Sequence, residues 1–134
     1  MTGQQGDQAM TFEEFSAVNR ARCESPQGFH HQLNRWTASD WMTALLGEMG
    51  EAANIVKKLN RSRDGIRGNN EEDAALRAKL RRELADTFIY LDLFCQSLGF
   101  ELVDAVIETF NAKSAEIGYP AIPLMRRRSQ TDDD

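Results

Sequence analysis

Two long stretches of helical spacing, parted by one loop rich in glycine and asparagine, constrain this chain more than any other feature. The first starts at "TASDW" and runs to about Asn60. In it Trp41, Leu45, Met49, Ala52, Val56 and Leu59 recur every three or four residues, the period of one helix face. Thr37 with Asp40 three residues on supplies an acidic cap. The second spans about Glu71 to Leu98, and Leu76, Leu80, Leu84, Thr87, Leu91 and Phe94 form its stripe. Gly99 is a natural terminator. Between the two, "RSRDGIRGNN" (61–70) reads as a loop.

Shorter helices flank this pair. "TFEEFSAVNRARCE" (Thr11 to Glu24) opens with a capping box, Thr11 and Glu14, and shows a loose apolar face of Phe12, Phe15, Val18 and Cys23. Pro26 and Gly28 end it. Residues 25–36 form a connector carrying Phe29, His30, His31 and Trp36. Phe100 to Gly118 is the fourth helix, with Leu102, Val106 and Phe110 as its stripe. No strand-like alternation persists beyond short stretches, and no repeat is found. The expected fold is all-α, four helices in a bundle-like arrangement forming one domain over residues 1–134, with 1–10 and 126–134 as flexible tails.

Composition narrows the function classes. Hydrophobic residues make up 41% and charged residues 28% of 134 positions, the balance of a globular soluble chain. With 16 basic and 21 acidic side chains the net charge is −5, which argues against binding a nucleic-acid polymer. The opening "MTGQQGDQAM" has no signal-peptide character. No apolar run reaches the ~18 residues of a membrane span. Cys23 and Cys95 are too few and too far apart for a disulfide framework or a zinc site. A cytoplasmic protein with reduced thiols is expected.

The chemistry lies in carboxylates. Glu48 and Glu51 stand three apart on the first long helix, beside its apolar stripe, and Glu83 and Asp86 stand three apart on the second. Residues i and i+3 are neighbours on a helix surface, so two helices side by side would converge four carboxylates. Like charges resist such packing. A hard divalent cation resolves the conflict, and Mg²⁺ or Mn²⁺ prefers oxygen ligands that bridge to phosphate. Di-iron bundles need Glu-x-x-His. The only histidines, His30 and His31, precede the first long helix, so that chemistry is disfavoured.

In order along the chain, "RWTASDWMTALLGE", "GEMGEAANIVKKL", "ELADTFIYLDLF" and "FNAKSAEIGYP" resemble the MazG-like all-α nucleoside triphosphate pyrophosphohydrolases. That group includes dimeric dUTPases, dCTP pyrophosphatases and phosphoribosyl-ATP pyrophosphohydrolases. The resemblance covers about residues 29–120. It implies Mg²⁺ binding by Glu48, Glu51, Glu83 and Asp86, and attack of a metal-activated water on the α-phosphorus of a (d)NTP. It implies the products (d)NMP and pyrophosphate, and a homodimer or a dimer of dimers. Asn111 and Lys113 match later polar positions that contact phosphates or support the metal. Some members double the first glutamate; here Gly47 and Met49 flank Glu48.

Beyond those matches, Lys57 follows the first carboxylate pair by about two turns and is a candidate phosphate ligand. Trp36, Trp41 and Tyr90 are candidates to stack on a base. Two alternatives stand beside the leading one. The first is a phosphoribosyl-ATP pyrophosphohydrolase-like enzyme. The second is a non-catalytic helical oligomerisation or regulatory protein on the same scaffold.

Overall fold

The computed structural model describes residues 9–126. It contains α1 (Phe12–Glu24), a 3-10 turn (Leu33–Arg35), α2 (Ala38–Arg63), α3 (Asp73–Ser97) and α4 (Leu102–Glu116), and no strand among the described residues. The all-α class is as expected. No helix in this span is long and apolar enough to cross a membrane.

Both sequence-predicted caps form. The Thr11 hydroxyl accepts from the Glu14 N–H at 3.1 Å, and the Glu14 carboxylate accepts from the Thr11 N–H. Thr37 and Asp40 exchange the same pair of bonds at 3.2 and 2.9 Å. Each box satisfies orphan amides of a first turn. The far end of α2 was expected near Asn60 but lies at Arg63. Arg61 and Arg63 suit the negative end of a helix dipole, and the stop comes at Gly65, whose φ of 68° is left-handed. Asn69 then stitches the loop, donating to the Lys58 carbonyl and accepting from the Glu71 N–H, each at 3.2 Å. Glu71 is gripped by Lys58 and Lys79.

That loop turns the chain back, so α2 and α3 pack as an antiparallel pair along most of their length. Trp41, Ala52 and Ile55 on α2 and Leu76, Leu93 and Phe94 on α3 are buried. Met49, Val56 and Leu84, expected in the stripes, are exposed instead. The buried line is offset from them because α1 and the 3-10 turn cover only one side of the hairpin. Cys23 and Leu33 join Trp41, Leu93 and Phe94 in one cluster, and both cysteines are buried free thiols.

Helix α1 docks through polar groups. Asp92, fully buried, accepts from Ser16 Oγ at 2.6 Å, Asn19 Nδ2 at 2.9 Å and Gln96 Nε2 at 3.0 Å. The expected face of α1 therefore needs correction: Val18 is exposed, while Ser16 and Asn19 are buried. Burial of a carboxylate is tolerated only when donors surround it, and α1 brings two of them.

Among the helices α4 packs mainly on α3, and none of its residues is buried. Val106 and Phe110, expected in its stripe, are exposed. Beyond α4 the chain folds back. Leu124 exchanges two hydrogen bonds with the Asn111 amide at 2.9 and 2.8 Å. Arg126 pairs with Glu13, Asp104 and Glu101. Arg126, expected at the start of a flexible tail, is thus tied to α1 and α4. The rest of the expected tails, apart from residues 9 and 10, lies outside the described residues.

Candidate functional site

Midway along the α2–α3 pair the apolar packing is interrupted by acid. Ligand atoms of Glu48, Glu83 and Asp86 lie within 4.8 Å of one another, and Glu51 is near enough for its charge to act on both Glu48 and Glu83. Three of the four carboxylates of the two i, i+3 pairs are thus brought together, because the hairpin sets the middle of α2 against the middle of α3. None of the four forms an ion pair with a lysine or arginine among the described residues.

The electrostatics record that lack of counter-charge. Burial, then the charges of Glu51 and Asp86, push the Glu48 carboxyl above its ordinary 4.5. The hydrogen bond shared with Glu51, followed by burial and the neighbouring acids, raises Glu83 likewise. Glu83 Oε2 is sealed from solvent and has no hydrogen-bond partner. A buried oxygen without a donor is costly. The donor set is all carboxylate oxygen, with no histidine or thiolate, which suits Mg²⁺ or Mn²⁺ rather than softer metals. The residues brought together that would hold such an ion are Glu48, Glu83 and Asp86.

Beside the acids opens a cleft of about 410 Å³. Glu48 and Asp86 form one part of its wall, and Phe29, His31, Trp36 and Tyr90 form another. Two local features build the aromatic wall. Gly28 lets the connector press on the end of α1: a Cβ there would lie 1.8 Å from the Arg22 carbonyl oxygen. His30 then takes a left-handed φ of 50°, uncommon outside glycine, and the His31 N–H bonds to the Cys23 carbonyl at 2.8 Å. His31 packs edge-on to Trp36, with ring centroids 4.5 Å apart. Its Nε2 is buried without a partner.

The other sequence candidates divide. Trp36 and Tyr90 line the cleft, and burial and the nearby acids raise the Tyr90 phenol above its ordinary value. Trp41 also borders the cleft but is a core residue, its indole N–H held by the Leu33 carbonyl at 3.1 Å. Lys57 lines a separate groove with Met49, Val56 and Leu84. Asn111 is engaged with Leu124, and Lys113 pairs with Glu116 on the exposed α4. A single chain does not bring Asn111, Lys113 or Lys57 to the cleft.

Asn19, Arg22 and His31 are cleft residues not picked out from sequence, and Phe29, a connector aromatic, joins them. Asn19 had a signal: Phe12, Ser16, Asn19 and Cys23 follow a helix face, and a polar residue on such a line is worth attention. Comparison with protein-family models, with curated proteins and with solved structures returned no match.

Proposed function

We propose that this protein is a Mg²⁺-dependent pyrophosphohydrolase of nucleoside triphosphates, as its resemblance to the MazG-like enzymes implies, releasing pyrophosphate and a nucleoside monophosphate. One observation carries the reading: the carboxylates of Glu48, Glu83 and Asp86, with no ion-pair partner among the described residues, converge beside an aromatic cleft large enough for a small ligand, and two of them line it. A triphosphate cannot approach four carboxylates unaided. A divalent cation, when bound, neutralises that charge and lowers the pKa of a coordinated water.

The protein's own groups do the remainder. Glu48 and Asp86 border both the acidic cluster and the cleft, so a nucleotide spanning the two would put phosphates at the acids and base against the rings. Trp36 and Tyr90 offer faces for a base. Arg22 lines the same cleft, within 5.7 Å of the Phe29 ring centroid, and its guanidinium suits phosphate oxygens. Asn111, Lys113 and Lys57 are not needed for this reading.

The uncovered stripe of α4 and the exposed Met49, Val56 and Leu84 support self-association, as a homodimer or a dimer of dimers. The enzymatic reading is tested with a panel of NTPs and dNTPs assayed for pyrophosphate with Mg²⁺ and with EDTA. Pyrophosphate and monophosphate in equal amounts, only with the cation, are expected. Stepwise release of orthophosphate, or no turnover of any nucleotide, would remove it.

A further inference from the structure

Asn19 is only 4% exposed, on the face of α1 that meets α3. Its Nδ2 donates to the Ile89 carbonyl at 3.1 Å and to Asp92 Oδ2 at 2.9 Å. A main-chain carbonyl can only accept. The amide flip is therefore fixed by chemistry, with nitrogen toward α3 and Oδ1 turned from both partners. Asp92 is itself held by Ser16 and Gln96, so the amide has little freedom to rotate. Asn19 also lines the aromatic cleft. Its Oδ1 accepts no hydrogen bond among the described residues, which makes it a pre-oriented acceptor in a wall that also carries Cys23, Ile89 and Leu93.

We propose that Asn19 Oδ1 reads an exocyclic amino group of the base that enters this cleft, so that the site favours amino-bearing bases over their oxo counterparts. This rests on the cleft being the base pocket of the nucleotide site proposed above. A recessed acceptor is reached best by a donor that projects from the ring. The ring N–H of uracil or hypoxanthine does not project, and a carbonyl beside it would repel Oδ1. An oxo group placed at the amino position would bring two acceptors together, neither of which can satisfy the other. His31 Nε2, buried without a partner, does not make this choice, because a neutral imidazole nitrogen can donate or accept.

The test separates the amino group from everything else in the ligand. Cytidine, its 4-deamino analogue and uridine are titrated against the intact chain, followed by calorimetry and by quenching of tryptophan fluorescence. Adenosine, purine riboside and inosine form a second series. In at least one series the amino nucleoside should bind about ten- to a hundredfold tighter than the oxo nucleoside, with the unsubstituted ring between. Asn19→Leu, checked for helicity by circular dichroism, should flatten that series. Equal affinities within both series of the unmodified chain, or no binding of any nucleoside, would overturn the proposal, whether or not the variant folds. The series needs no turnover. An ordered series without hydrolysis of any triphosphate would leave Asn19 its role and remove the pyrophosphohydrolase. Hydrolysis with a flat series would do the reverse.

Discussion

The indoles of Trp36 and Trp41 meet edge-on, with centroids 4.8 Å apart and planes at 69°, yet one is 37% exposed and the other 1%. Both border the same cleft, so adjacency alone does not sort structure from binding; burial does. Trp41→Ala removes the largest side chain of the core and the donor to Leu33, and should cost about 3–5 kcal/mol of stability. Trp36→Ala should leave the melting temperature nearly unchanged. It should raise KM for the best nucleotide more than it lowers kcat, by about ten- to a hundredfold, the loss of one stacked ring. Urea melts and steady-state kinetics on the two variants check the division, and equal stability losses would refute it.

The acids make a prediction with a definite sign. Glu48 and Glu83 both have carboxyls raised above 4.5. Above that value the unfolded chain has released protons that the folded chain still binds, so stability without cation falls as pH rises through the window between 4.5 and the raised folded values. Cation binding requires the deprotonated forms, so its stabilising effect grows with pH in the same interval. Melting curves in EDTA and in Mg²⁺, from about pH 4.5 to pH 7.5, should diverge as pH rises. Glu48→Gln with Glu83→Gln should remove the divergence and flatten the EDTA curve. Parallel curves at every pH would mean that no cation binds there.

Charge without bulk is the cleanest change at the other two positions. Glu51→Gln and Asp86→Asn keep shape and remove ligand charge. Each should abolish turnover while circular dichroism remains that of the parent, since both side chains are exposed and neither makes an ion pair among the described residues. Undiminished turnover in both would sink the four-carboxylate site.

What could be read from sequence follows the range of the interactions. Caps need only three residues of context, and Thr11 with Glu14 and Thr37 with Asp40 form as read. The carboxylate convergence needs two helices and one loop, and the loop is short enough to force it. The connector resists such reading. His31 reaches the cleft because Gly28 touches Arg22 and His30 turns left-handed, and neither follows from periodicity. Asp92 fails for another reason. Helix spacing selected Leu91 and Phe94, but the end of α3 is covered by α1 and the 3-10 turn as well as α2. Residues 92 to 95 are consequently all buried, and a single stripe cannot describe a helix enclosed on two sides.

The connector's geometry gives a further test. At Gly28 any Cβ would fall 1.8 Å from the Arg22 carbonyl oxygen, a backbone atom that cannot swing aside. Gly28→Ala must shift the connector or the end of α1, at a cost of about 1–3 kcal/mol. Phe29 and His31 move with it, so nucleotide affinity should fall together with melting temperature. Gly47→Ala is the control, because nothing lies within 4 Å of a Cβ there. A helical alanine should leave stability equal or higher by up to about 1 kcal/mol. If Gly28→Ala melts and binds like the parent, the close approach to Arg22 does not shape the cleft.

Assembly is the last test, and it turns on α4. That helix carries Phe110 at 52% exposure and Val106 beside it, while Leu84 at 51% exposure and Met49 line the open groove between α2 and α3. Two separated apolar surfaces on so small a chain are more than a monomer ordinarily leaves in water. Light scattering at micromolar concentration should give two or four times 15.2 kDa. Phe110→Asp puts charge on the α4 stripe without touching a core residue, since nothing on α4 is buried within the chain. It should shift the protein toward monomer at unchanged helicity, and a shift in mass with helicity retained would mark the α4 face as contact surface. A parent chain that stays at 15.2 kDa would show that these faces remain in water, and the nucleotide site would then have to be completed by one chain alone.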